Sequence, residues 1–290
     1  MKVIAIDLDG TLLLEDESID EENIKAIKHV QEQGDIVSVA TGRALLDVQH
    51  ITNKYGLSMP IIASNGAQIY IDNHQVQEQV MSNTAIQPII KWLNDEKMYY
   101  QIYLSDKIVV HEHALDYLEE QLFDVVKRNP NFHVRSFWDA IRAQRFQYGL
   151  QKVEKPIQPT SYDQVIKIMV VSPDVIKLNL AKSYFSMIDG CAISSSGTFN
   201  IEIMKKGVDK GSALQYLCEY CKVPEKNTMA IGDNENDIPM FLVAGTGIAM
   251  ENATESLIKH ASSKTLSNDQ SGVAHALYHY LHKDKIVIRG

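Results

Sequence analysis

Cysteine is scarce, with three in 290 residues. So small and odd a number cannot build a disulfide framework, which fits a reducing compartment. Cys218 and Cys221 form a C-x-x-C inside a helical pattern with no second pair of ligands, which points to core thiols rather than redox or zinc chemistry. Long apolar runs are missing as well, and none approaches the roughly 20 residues a membrane helix needs. Positive charge is thin. The net charge is −9, and the runs Lys205-Lys206 and Lys152-Val153-Glu154-Lys155 are short or interrupted. A generic binder of nucleic acid or of a membrane surface needs a local basic patch, so both classes are set aside. The chain opens on an apolar strand, leaving no space for a charged region, an apolar region and a cleavage site in succession; the expectation is a cytoplasmic protein.

What is present is an apolar share of 45% over 290 residues, enough for about two cored domains. The chain is organised around Asp7-Leu8-Asp9-Gly10-Thr11, directly behind the run Val3-Ile4-Ala5-Ile6. A buried strand that stops at two carboxylates one residue apart sends both to the carboxyl edge of an open α/β sheet, where ligands bind. Two carboxylates that close repel each other, and a divalent cation between them relieves the repulsion. Next comes a helical pattern through Ile24, Ile27 and Val30, with Asp20 placed as N-cap and Gly34 at the end, and then an apolar strand over 36–40. That βαβ unit predicts a right-handed crossover and a parallel sheet, with no lid inserted between Asp7 and Thr41. Thr41-Gly42-Arg43 at the second strand end is either an N-cap and turn or a phosphate seat. Asn65-Gly66, after the third strand Pro60-Ile61-Ile62-Ala63, has the usual look of a turn pair, but its place after a buried parallel strand at the same sheet edge as Asp7 and Thr41 favours a contact to substrate or Arg43.

From Thr84 the pattern changes to adjacent strands over 98–104 and 107–111 between helices, which favours an antiparallel sheet. Residues 131–162 are the least legible, with Phe137, Ile141 and Arg145 on one helical face and a loop at Pro156 and Pro159. A strand over 165–171, a helix to about Ile188 and a strand over 191–194 follow, with linkers expected at Ser82-Asn83 and Ser195-Ser196-Gly197. The core is expected to resume at Phe199–Met204 and to continue through Gly207-Val208-Asp209-Lys210-Gly211 into a helix. Lys210, at a helix start, opposes the local dipole and so calls for a counter-charge, with Lys205 and Lys206 as rivals for the same role. Gly232-Asp233-Asn234-Glu235-Asn236-Asp237 then ends another apolar strand, and its acids cluster at a density that needs a cation. The final helix is expected near Val273 to Leu281.

These four pieces, D-x-D-G-T, T-G-R, G-V-D-K-G and G-D-x-x-N-D, resemble in order the motifs of the haloacid dehalogenase-like phosphatases, and overall the Cof-type subgroup with a large α/β cap. The resemblance implies a Rossmann-like doubly wound core of residues 1–82 and 193–290 with an inserted α+β cap over 83–192 acting as a specificity lid. It implies that Asp7 attacks phosphorus to form an aspartyl-phosphate and that Asp9 serves as acid and then base. Mg²⁺ would be held by Asp7, the Asp9 carbonyl and Asp233. Thr41, Lys210, Asn236 and the amides of Leu8 and Gly42 would bind the phosphoryl oxygens, with Arg43, Asn65, Gly66 and Asp237 in support. The substrate would be a small phosphorylated metabolite. The subgroup includes sugar-phosphate phosphatases and enzymes acting on 5-amino-6-(5-phosphoribitylamino)uracil; the tyrosine-bearing patch from Lys91 to Tyr103 resembles the latter. A monomer or homodimer is expected, without nucleic-acid or membrane partners. A phosphomutase or phosphotransferase on the same scaffold, or a non-catalytic metabolite-binding regulator, are the alternatives.

Overall fold

A computed structural model describes residues 1–280 except 156, 159 and 161. The loop expected at Pro156 and Pro159 and the helix end expected at Leu281 lie outside the described residues. The chain divides into two compact units, one of Met1–Gly42, Val48–Gln77 and Asp209–Gly290, the other of Arg43–Asp47 and Glu78–Val208.

The first unit is built on an eight-stranded sheet in the order Ser263–Lys264, Thr246–Ala249, Thr228–Gly232, Val3–Ile6, Ile36–Ala40, Ile61–Ala63, Gln68–Ile71, His74–Glu78. The first six run parallel. Val3, Ile4, Ala5 and Ile6 are all fully buried, as expected for a strand covered on both faces, whose sequence is a continuous apolar run rather than an alternating one. From this central strand the chain first winds toward Ile36–Ala40 and later returns on the other side as Thr228–Gly232. The strand order therefore reverses beside Val3–Ile6, and a crevice at the carboxyl ends is the usual result. Helix Glu21–Glu32 turns Ala26, Ile27 and Val30 inward and packs on helix Gly272–Tyr280. Asp20 takes the N-cap position, but its carboxylate accepts from the Ser271 hydroxyl and caps no helix amide. After Ile61–Ala63, a tight turn at Ser64–Gly66 reverses the chain into the antiparallel strand Gln68–Ile71. Asn65-Gly66 is thus a turn pair.

The second unit carries a six-stranded sheet in the order Cys191–Ser194, Asn200–Lys205, Lys167–Val171, Tyr99–Tyr103, Ile108–His111, Leu150–Val153. All neighbours are antiparallel except the last pair. Helices Asn83–Asp95 and Val175–Phe185 cover one face, where Ile86, Ile90, Leu178 and Phe185 pack with Ile102, Ile168, Val170, Ile201 and Ile203. Three expectations change here. Asn200–Lys205 belongs to this sheet, hydrogen-bonded between Cys191–Ser194 and Lys167–Val171, so the second unit ends at Val208 and not at 192. Ser195-Ser196-Gly197 is no linker but the bend of a hairpin, in which Ser195 Oγ donates to the Gly197 and Asn200 carbonyls at 2.6 and 2.9 Å. The first crossing also lies earlier than 82, between Gln77 and Glu78, and Ser82 instead caps helix Asn83–Asp95 by accepting from Ala85 N at 3.3 Å. Strand Leu150–Val153 falls in the stretch the sequence left unread.

Candidate active site

Asp7 continues the central strand by one residue, its amide donating to the Ile231 carbonyl at 2.9 Å. That register sets the ends of strands Val3–Ile6 and Thr228–Gly232 side by side and brings Asp7 and Asp233 together across the reversal point. One carboxylate oxygen from each of Asp7, Asp233 and Asp237 lies within 4.8 Å of the others. Lys210 opens helix Lys210–Cys221 and is fully buried, with Nζ 2.6 Å from Asp7 Oδ1 and 2.6 Å from Asp237 Oδ1. Its counter-charges are therefore Asp7 and Asp237, and it reaches them from the helix start at which the sequence placed it. Lys205 and Lys206 are exposed on the second unit.

The local backbone explains the closeness. Gly10 has φ +80°, and a Cβ there would lie 2.5 Å from Asp233 Oδ2, so neither the conformation nor the space admits a side chain. The Leu8 carbonyl collects the amides of Thr11, Leu12 and Leu13 in one tight turn. Thr11 Oγ1 then donates to Asp233 Oδ1 at 3.0 Å. Asp237 Oδ2 accepts from the amides of Asp233 and Asn234 at 3.0 and 3.1 Å, which leaves Oδ1 directed to Lys210. Asp237, expected only in support, is thus the fully buried hub of the acid cluster, while the side chain of Asp9 is exposed and outside that cluster.

Thr41 is fully buried at the end of Ile36–Ala40, and its carbonyl accepts from Asn65 N at 2.9 Å. Asn65, at φ 53°, accepts from Asn236 Nδ2 at 3.2 Å, and Gly66 at φ +97° comes so near helix Lys210–Cys221 that a Cβ would sit 2.3 Å from the Asp209 carbonyl. Thr41, Asn65, Gly66 and Asn236 therefore line the same edge as the acid cluster, with Leu8 and Gly42 beside Asp7 and Thr41 in the chain. Arg43 groups with the second unit and pairs with Asp47 at 2.9 Å. Sequence reading passed over Thr11 as a site residue; its place inside the first motif was the available signal.

Three carboxylates and one ammonium in a buried site leave excess negative charge. Burial first, then the charges of Asp237, Asp233 and Asp9, hold the Asp7 carboxyl well above the usual carboxylate range, against the pull of Lys210. Burial and the Asp237 charge push Asp233 up to about 7, against the Thr11 hydrogen bond and Lys210. Burial disfavours the Lys210 ammonium, yet Asp237 and Asp7 outweigh it and hold its pKa above the ordinary lysine value. An all-oxygen donor set that retains protons for want of positive charge is one that a hard divalent cation fits.

A parallel sheet with an acid cluster and a buried lysine at its reversal point defines an α/β protein with an anionic, cation-fitting site. The chain matches the haloacid dehalogenase-like hydrolase family over residues 4–277, and it belongs to that family. It is a phosphatase-type enzyme. The chain is similar to the 5-amino-6-(5-phospho-D-ribitylamino)uracil phosphatase YwtE of Bacillus subtilis, with 34% identity covering 95% of this chain and 96% of that one. It is also similar to the phosphatase YwpJ of Bacillus subtilis, with 31% identity covering 97% and 100%. Among solved structures, a haloacid dehalogenase-like hydrolase from Bacillus subtilis matches with a TM-score of 0.84 and 31% identity over 97% of this chain and all of the other (100%). Among the described residues no helix is long and apolar enough to cross a membrane.

Proposed function

We propose that the protein is a Mg²⁺-dependent phosphatase of small phosphorylated metabolites that works through an aspartyl-phosphate on Asp7. The observation that carries this reading is the convergence of Asp7, Asp233, Asp237 and Lys210 at the edge where the strand order reverses. The Asp7 carboxylate attacks phosphorus and the ester oxygen leaves, so one difficult displacement becomes two easier ones. Asp9, exposed one residue beyond the buried Leu8, protonates the leaving oxygen and then takes a proton from the attacking water. Lys210 holds Asp7 by its Oδ1 and contributes positive charge next to the transferring group, where phosphoryl transfer depends on positioning and charge compensation. Thr41, Asn236 and the amides of Leu8 and Gly42 bind the equatorial oxygens, and Asn65 orients Asn236 through its amide. Asp7, the Asp9 carbonyl and Asp233 would hold Mg²⁺, which when bound offsets the repulsion between carboxylate and phosphate. We assign Asp237 to orienting Lys210 and the backbone after Gly232.

The second unit is the cap that selects the substrate. Relatives named for a phosphoribitylaminouracil substrate favour phosphoribityl-type flavin precursors, with sugar phosphates and nucleotides as the other classes. Steady-state phosphate release from p-nitrophenyl phosphate and from a panel of these metabolites, with and without Mg²⁺, tests the reading. Asp7→Asn should abolish release from every substrate while the protein stays folded; retained turnover would sink the assignment.

A further inference from the structure

The turn that follows strand Thr246–Ala249 touches the acid cluster and the nucleophile loop at once. Its backbone is tied to the strand end opposite Asp7: Met250 N donates to the Gly232 carbonyl at 3.0 Å, and Thr254 N to the Asp233 carbonyl at 2.8 Å. Between these anchors Asn252 Nδ2 donates to the Gly10 carbonyl at 2.8 Å. Asn252 Oδ1 in turn accepts from Asn268 N at 3.2 Å, and Asn268 Nδ2 donates to the Leu13 carbonyl at 2.8 Å. The two side chains thus form one continuous path from Gly10 through Asn252 and Asn268 to Leu13. An exposed asparagine such as Asn252 is usually satisfied by water, yet here its Nδ2 and that of the half-buried Asn268 are both spent on carbonyls of the loop that carries Asp9.

We propose that Asn252, with Asn268 behind it, is a positioning residue that fixes the Asp9–Leu13 loop relative to Asp233 and so sets the direction of the Asp9 carboxyl. The proposal rests on the reading of Asp9 as general acid given above. Asp9 itself is exposed, and Gly10, next to it, takes the φ of +80° that only glycine adopts readily, which turns the chain sharply just after the carboxyl. The direction of the Asp9 carboxyl follows the backbone that carries it, and the carbonyl just beyond it is the one Asn252 holds. Asn252 grips that carbonyl from a turn whose other hydrogen bonds end on Gly232 and Asp233, so proton donor and acid cluster share one frame.

The test separates aim from mere stability. The value of kcat/KM reports steps up to the first irreversible transfer to Asp7, where an acid matters for a poor leaving group and hardly for a good one. For Asn252→Ala, kcat/KM toward an alkyl phosphate such as glycerol phosphate should fall at least about tenfold, a part of the 10²–10⁴ typical of general acid catalysis. Toward p-nitrophenyl phosphate it should change less than about threefold, because nitrophenolate leaves without a proton. Asn268→Ala keeps the Asn252–Gly10 bond, so it should show the same skew more weakly, and it carries the test should Asn252→Ala not fold. Equal losses on both substrates, or no loss, overturn the proposal. A wild-type protein that hydrolyses neither ester would instead remove the phosphatase reading beneath it.

Discussion

Lys210 is the residue on which the local electrostatics turn. Its ammonium is fully buried between two carboxylates at 2.6 Å, and a buried pair broken from one side leaves charge with no compensation. Replacing it by Met keeps most of the volume but strands Asp7 and Asp237. Lys210→Met should therefore lose about 3–5 kcal/mol of unfolding free energy, the range seen when one partner of a buried pair is removed. Urea denaturation near neutral pH measures it, and a loss below about 1 kcal/mol would mean that the carboxylates simply take up protons. The sequence pointed to this lysine through its awkward place at a helix start, and the same rule explains the outcome, since the opposing dipole is outweighed by two anions. Asp237 was harder to read. Its weight comes from a turn in which one carboxylate oxygen satisfies two amides while the other meets Lys210, and that geometry leaves no trace in spacing alone.

At the scale of elements, the strand Asn200–Lys205 is the instructive case. It reads as another buried strand of the core, but Asn200, Glu202 and Met204 alternate with Ile201 and Ile203, a period-two pattern that suits an antiparallel sheet with two unlike faces. The continuous apolar run Val3–Ile6 lacks that alternation, so the signal was in the chain. One consequence is a buried pair: Lys167 Nζ lies 3.1 Å from Glu202 Oε2, with both side chains almost wholly covered and the Tyr103 ring centroid 4.2 Å from the ammonium. Glu202→Leu removes the carboxylate beside a buried cation and should cost about 3–5 kcal/mol, whereas the double change Lys167→Met with Glu202→Leu should recover most of it. Thermal or urea unfolding of the two variants decides. Additive losses would show that the pair is not coupled. What stayed illegible was the segment from 131 to 162, where short helices Val134–Ala140 and Arg142–Arg145 bury Phe137 and Ile141 without a period long enough to recognise.

For the whole molecule, the acid cluster ties stability to pH and to metal. Asp233 titrates near 7 in the folded protein but near an ordinary carboxylate value of about 4 when unfolded. Folding therefore takes up a proton between those values. The contribution to stability is fully present below about 4 and is lost as pH rises through about 7, the opposite of a salt-bridged aspartate. Asp7, raised in the same direction by burial and by its acidic neighbours, adds to the trend. A divalent cation held there as proposed would compete with these protons for the same oxygens and would bind only the folded arrangement. Saturating Mg²⁺ at about a hundred times its dissociation constant should then add about 2.7 kcal/mol. In a chain of this size that is roughly 5–10 °C in the melting temperature at pH 8. At pH 5, where Asp233 keeps its proton, the gain should shrink to less than about 2 °C. Asp233→Asn should raise the metal-free melting temperature at pH 8, by removing one of three crowded charges, and should abolish the response to Mg²⁺. Melting curves at the two pH values with and without the ion test both, and a Mg²⁺ response that is equal at pH 5 and pH 8 would refute the linkage between proton and metal.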